Sequence, residues 1–263
     1  MRRPVVAGQF YRGDPEGLRS QLKGFFDVAV PEEGNESVSG GVAPHAGYVY
    51  SGQVAAQVYA AIPSAETYVL IGPNHHAIGS IIALSKETWS TPLGKVEVDE
   101  EIVDDLSSSI DVDEVAHRYE HSIEVQLPFL QYRFKEFKIV PISMGLQDEE
   151  TVKDVSIDLA NALRDKDVVV LASSDFTHYE PDKVAREKDS SVIEAILELN
   201  ASKFYSRIYE HQMSVCGYGP IAVMMETTKA LGAKKGKLLK YATSGDVTGD
   251  KSSVVGYAGI VIV

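Results

Sequence analysis

The feature that most constrains the fold is an alternation of apolar runs of strand length with segments of helical periodicity. The apolar runs are rich in β-branched and aromatic residues, which favours strands. They cover residues 42–43, 68–71, 80–84, 137–142, 168–172, 238–242 and 254–263. This alternation is typical of an α/β protein in which helices cover both faces of a sheet.

Helices are predicted between these runs by apolar residues three and four positions apart. They cover 54–62, 152–163, the segment that follows Pro181, and 217–231. Residues 122–134 have the same spacing, but Pro128 should kink that helix or start a new one. Residues 31–41 are predicted to form a loop between an N-terminal helix and the first central strand.

Length and charge exclude several classes of protein. The 263 residues contain no obvious linker, so we predict a single domain over 1–263. With 25 basic and 38 acidic side chains the net charge is −13, which disfavours nucleic acids and anionic membranes as partners. The longest uncharged apolar run, 254–263, is far shorter than the roughly 20 residues of a membrane span. No signal-peptide core follows the N-terminus, so we expect a cytoplasmic protein.

Three of the predicted strands run directly into polar residues. In α/β sheets ligands bind at the carboxyl ends of the strands, so these residues should meet at one edge. Of the seven histidines, four follow strands, and they are His45, His75, His76 and His178. Imidazole is a common ligand of iron, zinc and copper. A single histidine after a strand is more often a capped or hydrogen-bonded structural residue, but four of them in such positions favour a functional role.

Asp175 and His178 lie three residues apart, just after a predicted strand. A neighbouring carboxylate fixes the tautomer of an imidazole and raises its pKa, so the pair suits either ligand orientation or acid/base catalysis. Alternatively, Asp175 is the N-cap of a helix. His121 precedes a predicted helix and could point inward or cap that helix, whereas His117 and His211 are predicted to lie on the surface.

Cys216 is the only cysteine, so it cannot form an intramolecular disulfide. It precedes a predicted helix, and a thiol at a helix N-terminus has a lowered pKa, which favours a metal ligand or a nucleophile. The alternative is a buried apolar residue. The sequence contains no GxSxG, no GxGxxG after a strand, no P-loop and no HExxH, which excludes the usual catalytic motifs.

Six spaced segments, together with AGQFYRGDPEGL near the N-terminus, resemble the Memo family. In order, they are PHAGYVYSG, GPNHH, TPLG, EHSIEVQLPFLQ, SSDFTHY and CGYGPI. The resemblance implies a three-layer α/β/α fold with a central mixed sheet, similar to the class III extradiol ring-cleaving dioxygenases. Those enzymes hold a non-haem Fe(II) with two histidines and a carboxylate. The matching positions here are His45, His75 and, in place of the carboxylate, Cys216. His178 resembles the dioxygenase acid/base histidine, and Asp175 matches a further pocket position.

The thiolate is a departure from that triad, because a soft ligand shifts the preference towards copper or zinc and changes the redox potential of iron. Ring cleavage is therefore not inherited with the fold. Eukaryotic Memo proteins are described as motility effectors that bind phosphotyrosine peptides and also as iron- or copper-binding proteins. Archaeal and bacterial relatives are often encoded beside a radical-SAM protein, which implies a functional link.

Two hypotheses follow for the function. The first is a metal-dependent oxidoreductase that holds Fe(II), or else copper or zinc, through His45, His75 and Cys216. In it His178, oriented by Asp175, moves protons with His121 nearby. The second is a non-catalytic module whose pocket takes a peptide or a small anion.

Overall fold

The computed structural model describes residues 1–29 and 38–263, and within them the chain folds around one 11-stranded mixed sheet. The helices are α1 (Pro15–Phe26), α2 (Tyr48–Ala61), α3 (Glu100–Leu106), α4 (Glu114–His117), α5 (Leu127–Arg133), α6 (Glu149–Ala162), α7 (Asp182–Leu197), α8 (Ala201–Glu210), α9 (Tyr218–Ala230) and α10 (Ser244–Thr248). The strands are β1 (Gly40–Ala43), β2 (Thr67–Pro73), β3 (Ile82–Leu84), β4 (Trp89–Thr91), β5 (Gly94–Val98), β6 (Asp111–Val112), β7 (Lys138–Met144), β8 (Val168–Ser173), β9 (His178–Glu180), β10 (Gly236–Thr243) and β11 (Val254–Ile262).

The sheet has a parallel centre and antiparallel flanks. Its main order is β10-β11-β1-β8-β2-β7-β3-β6. Strands β1, β8, β2 and β7 are parallel to one another. Strand β11 is antiparallel to β1 and β10 on one side, and β3 is antiparallel to β7 on the other. The expected mixed α/β sheet is therefore confirmed.

Helices cover both faces of the sheet, as two neighbouring glycines in β1 make clear. A Cβ at Gly40 would lie 2.8 Å from Thr228 of α9, whereas a Cβ at Gly41 would lie 3.2 Å from Val58 of α2. Because successive residues of a strand point to opposite faces, α9 and α2 lie on opposite sides of β1. The absence of side chains here lets both helices approach the strand closely.

The strands and helices predicted from periodicity are all present, and most begin and end within three residues of the predicted limits. The exception is α2, which begins at Tyr48, six residues before the predicted start at 54. Segment 122–134 starts with a 3-10 turn, Glu124–Gln126, and Pro128 then lies in the first turn of α5. Pro128 therefore starts a new helix, which was one of the two expected outcomes. Residues 31–37 of the predicted loop lie outside the described residues. Gly40 and Gly41 belong to β1 instead of that loop, because they pair with β8 and β11.

A buried ion pair connects the N-terminal residues to the 3-10 turn before α5. Arg2 Nη1 lies 2.7 Å from Glu124 Oε2, and both side chains are buried. The other oxygen of Glu124 accepts a hydrogen bond from the Tyr11 hydroxyl at 2.7 Å. The guanidinium also stacks on the ring of Trp89, 4.2 Å from its centroid. Among the described residues, no helix is long and apolar enough to cross a membrane.

Candidate metal centre

Three neighbouring parallel strands carry candidate site residues just past their carboxyl ends. His45 follows β1, His75 follows β2 and Asp175 follows β8. Since β8 lies between β1 and β2, the three residues share one edge of the sheet. Cys216 reaches the same edge from the amino end of α9, which packs against all three strands.

His45 is almost completely buried, with 3% of its surface exposed. Its Nε2 atom lies 3.2 Å from Cys216 Sγ, and its Nδ1 atom lies 3.0 Å from Ser173 Oγ. Burial, together with the neighbouring histidines, lowers the pKa of His45 well below its usual value. The ring is therefore neutral near pH 7, as a metal ligand must be.

His75 is held by Glu120, a residue that the sequence analysis left without a role. Its Nδ1 lies 2.9 Å from Glu120 Oε1, and its backbone N–H donates to Glu120 Oε2 at 2.6 Å. Burial by itself would lower the pKa of His75, but the hydrogen bond and charge of Glu120 raise it. A carboxylate accepts at Nδ1, so Nε2 is the free nitrogen of this ring. In the sequence Glu120 precedes His121 and opens the segment EHSIEVQLPFLQ, but neither feature indicated that it would hold His75.

Cys216 does not have the lowered pKa that its position suggested. Helix α9 begins at Tyr218, and burial and the charge of Asp175 raise the pKa of the thiol above its usual value. The expectation of an activated thiolate in the free protein was therefore wrong. The Asp175 backbone N–H donates to Sγ at 3.2 Å, which fixes the sulfur towards His45.

One donor atom each from His45, His75 and Cys216 lies within 4.8 Å of the other two. Ligand bonds of about 2.0 to 2.3 Å in a tetrahedral site place donor atoms roughly 3.5 Å apart. The 3.2 Å between Cys216 Sγ and His45 Nε2 is close to that value. The three residues therefore fit a metal ion after small movements of their side chains.

Asp175 and His178 lie at this edge but do not form the expected pair. Asp175 Oδ1 accepts from the backbone N–H groups of His45 and Ala46 at 2.9 and 3.3 Å. Burial raises the pKa of this carboxyl. The ring of His178 is oriented by Ser214, whose carbonyl oxygen lies 2.9 Å from its Nδ1. No helix starts at Asp175, so the N-cap alternative was wrong.

His121 completes a group of three imidazoles. Its ring centroid lies 4.8 Å from that of His75 and 5.4 Å from that of His45. Burial lowers its pKa to about 4. His75, Glu120 and His121 also have donor atoms within 4.8 Å of one another. However, the Glu120 oxygens already accept from His75 and from the backbone of Ser122, so we read Glu120 as a support for the ligands.

The remaining histidines lie outside the cluster. His117 is fully buried, and its Nε2 contacts the Ala83 carbonyl oxygen at 3.1 Å, so its predicted surface position was wrong. It ends the short helix α4, whose inner side packs on Trp89. His76 is exposed, and His211 is half-buried at the end of α8.

A groove of about 770 Å³ lies between α6, α8 and α9, and its lining includes Glu149, Tyr205 and Glu226. None of the residues that line it belongs to the histidine and cysteine cluster. The convergence of donor atoms therefore points to the strand edge and not to this groove.

Known proteins match this chain over almost its whole length. A family model described as Memo-like protein matches residues 2–261. A MEMO1 family protein of Methanosarcina barkeri is 55% identical over 266 residues, with 100% of both chains covered. MEMO1 family proteins of Archaeoglobus fulgidus and Methanocaldococcus jannaschii are 53% and 44% identical, each with at least 99% of both chains covered.

A solved structure with some likeness is that of an uncharacterized protein from Escherichia coli K12. It covers 76% of this chain and 87% of that one at 14% identity, with a TM-score of 0.48. The sequence matches are far stronger than this likeness, and they run from end to end. This chain belongs to the Memo-like protein family.

Proposed function

We propose that the protein is a metal-dependent oxidoreductase whose metal ion is held by His45, His75 and Cys216. One observation carries the proposal: each histidine has its Nδ1 beside a hydrogen-bond partner, Ser173 for His45 and Glu120 for His75. Hydrogen bonds at one ring nitrogen are how proteins orient the other nitrogen towards a metal. In His45 that other nitrogen already faces the thiol.

The donor set can hold a redox metal. A site of two imidazoles and one thiolate favours copper or zinc more than a site of two imidazoles and one carboxylate does. The likeness to the extradiol dioxygenases instead favours Fe(II). A bound Fe(II) or copper ion would supply one-electron chemistry and a position for an oxidant. The raised pKa of Cys216 means that the thiol proton has to leave when the ion binds.

His178 is the residue that we assign to proton transfer. Its Nδ1 lies against the Ser214 carbonyl oxygen, which only accepts, so Nδ1 carries the proton and Nε2 is free. A free Nε2 can take a proton from a bound substrate and return it. His121, the neutral ring stacked on His75, is assigned a contact with the substrate.

The substrate that we propose is a small molecule without a strong negative charge. The net charge is −13, and the buried carboxyl groups of Glu120 and Asp175 flank the histidines. A phosphorylated peptide would have to bring its charge into this field. This favours the oxidoreductase over the module that binds a peptide or a small anion.

The proposal is tested by metal content and oxygen uptake. Wild type purified without oxygen should bind one equivalent of Fe(II) or Cu(I). Cys216→Ser should keep its fold and bind Cu(I), the softer of the two ions, much more weakly. Ser156→Ala is a matched control, because the Ser156 hydroxyl is buried but donates only to Val152 within α6. Equal metal content in wild type and Cys216→Ser would remove Cys216 from the site. Oxygen uptake with a panel of phenols then tests turnover.

A further inference from the structure

We infer that Gln126 and Ser173 are positioning residues that hold His45 in the tautomer with its proton on Nδ1. The consequence for metal binding rests on the proposed function, whereas the tautomer itself does not. The residues concerned are all buried, with at most 3% of their surface exposed; they are His45, Tyr59, Ser122, Gln126 and Ser173. Water therefore does not compete for their hydrogen bonds.

The orientation of the Gln126 amide follows from its neighbours. Its Nε2 lies 3.1 Å from the Pro44 carbonyl oxygen, which can only accept, so the NH₂ group must be on that side. Its Oε1 accepts from the Tyr59 hydroxyl at 2.8 Å. The second amide proton then points to Ser173 Oγ at 2.8 Å.

The Ser173 hydroxyl has one proton and three neighbours. It donates that proton to the Ser122 carbonyl oxygen at 2.6 Å, because a carbonyl cannot donate. Gln126 Nε2 occupies one of the remaining lone pairs. The contact with His45 Nδ1 at 3.0 Å can therefore be a hydrogen bond only if Nδ1 carries the proton.

The other nitrogen of His45 faces the thiol. Its Nε2 lies 3.2 Å from Cys216 Sγ. With the proton on Nδ1, the lone pair of Nε2 points towards the sulfur, the third candidate ligand.

Gln126 acts on both the backbone and the ring of the ligand. One amide proton holds the carbonyl of Pro44, the residue before His45, and the other sets the Ser173 acceptor. A residue that merely filled space would not need two donors directed in this way. The lone pair of Nε2 is ready for a metal ion before that ion arrives, which is the effect expected of residues that support a ligand.

The test reads the tautomer in metal-free protein by long-range ¹H–¹⁵N correlation of ¹⁵N-labelled histidine, at about pH 8, where imidazoles are neutral. In wild type, Nδ1 of His45 should have the shift of a protonated nitrogen and Nε2 that of an unprotonated one. Ser173→Ala and Gln126→Met should shift the signals towards the other tautomer. Ser156→Ala, which removes a buried hydroxyl elsewhere, should leave them unchanged.

A protonated Nε2 in wild type would overturn the inference without any variant, even if the variants fail to fold. Unchanged signals in folded Ser173→Ala and Gln126→Met would overturn it as well. Zn²⁺ is the probe for the consequence, and its affinity should fall by about 10- to 100-fold in both variants. If wild type shows the expected tautomer and the variants shift it, but no protein binds Zn²⁺, the inference stands and the proposed metal site fails.

Discussion

Glu120 holds His75 by its ring and by its backbone at once. Oε1 of Glu120 lies 2.9 Å from Nδ1 of His75, and Oε2 accepts from the His75 backbone N–H at 2.6 Å. Only 2% of the surface of Glu120 is exposed. The carboxylate therefore fixes the position of His75 and keeps the ring proton on Nδ1.

Glu120→Gln should weaken metal binding by about 10- to 100-fold, the usual cost of losing a partner that supports a ligand. The amide keeps the size of the side chain but loses its charge and one acceptor. Competition with a chelator measures the affinity. Glu136→Gln, an exposed substitution outside the cluster, is the control. If Glu120→Gln and Glu136→Gln bind metal equally well, Glu120 does not support a ligand.

His178→Ala should separate metal binding from turnover. The variant should keep stoichiometric metal and lose about 10² to 10⁴ fold in oxidative rate, the usual contribution of a positioned acid or base. Metal per chain and oxygen consumption are measured on the same preparation, with His211→Ala as the control. Loss of metal would make His178 a ligand, and an unchanged rate would end its role in proton transfer.

Breaking the buried ion pair between Arg2 and Glu124 should lower the stability of the protein strongly. Arg2→Met leaves the buried Glu124 carboxylate without its cation, so the free energy of unfolding should fall by about 3 to 5 kcal/mol. Adding Glu124→Gln should recover part of this loss, because the amide is uncharged. Urea denaturation gives the free energy of unfolding of wild type, Arg2→Met and the double variant.

The control for this prediction is Lys23→Met, which removes an exposed ion pair with Asp27 and should change stability little. An Arg2→Met protein as stable as the Lys23→Met protein would contradict the prediction. A double variant no more stable than Arg2→Met would show that the lost cation was not the cause.

His117 predicts a pH dependence of stability. Burial lowers its pKa to about 4, whereas an unfolded histidine has a pKa of about 6.5. Above pH 6.5 the ring is neutral in both states and contributes no pH dependence. As the pH falls from about 6.5 to about 4, only the unfolded chain gains this proton, so the protein loses about 3 kcal/mol of stability.

His117→Gln removes this titration while an amide nitrogen can still reach the Ala83 carbonyl. The stability of the variant should therefore fall less steeply than that of wild type between pH 6.5 and 4.5. Urea unfolding at several pH values gives both slopes, and the other histidines contribute equally to each. Parallel slopes would show that His117 titrates normally in the folded protein.

The sequence predicted the central strands and the donors beside them for one physical reason. Strands buried on both faces are continuous apolar runs, and a polar residue that ends such a run is easy to recognise. His45 and His75 have this signature. Glu120, Gln126 and Ser173 do not, because their roles depend on which donor meets which acceptor across the folded chain. His117 was misplaced because the residues around it, from Asp111 to Arg118, are mostly polar and the helix that ends at it is short.

The position of β1 in the sheet bears on the order in which the protein can be completed. Its pairing partners are β8 and β11, so Gly40 lies beside Val170 and Ile262, although it is made long before either. During synthesis β1, which precedes His45, is paired on both sides only after Ile262 has been made. Such distant pairings are slow to form. Because Cys216 lies 171 residues after His45, the three candidate donors can come together only after residue 216 has been made. A shorter nascent chain would hold the two histidines without the thiol.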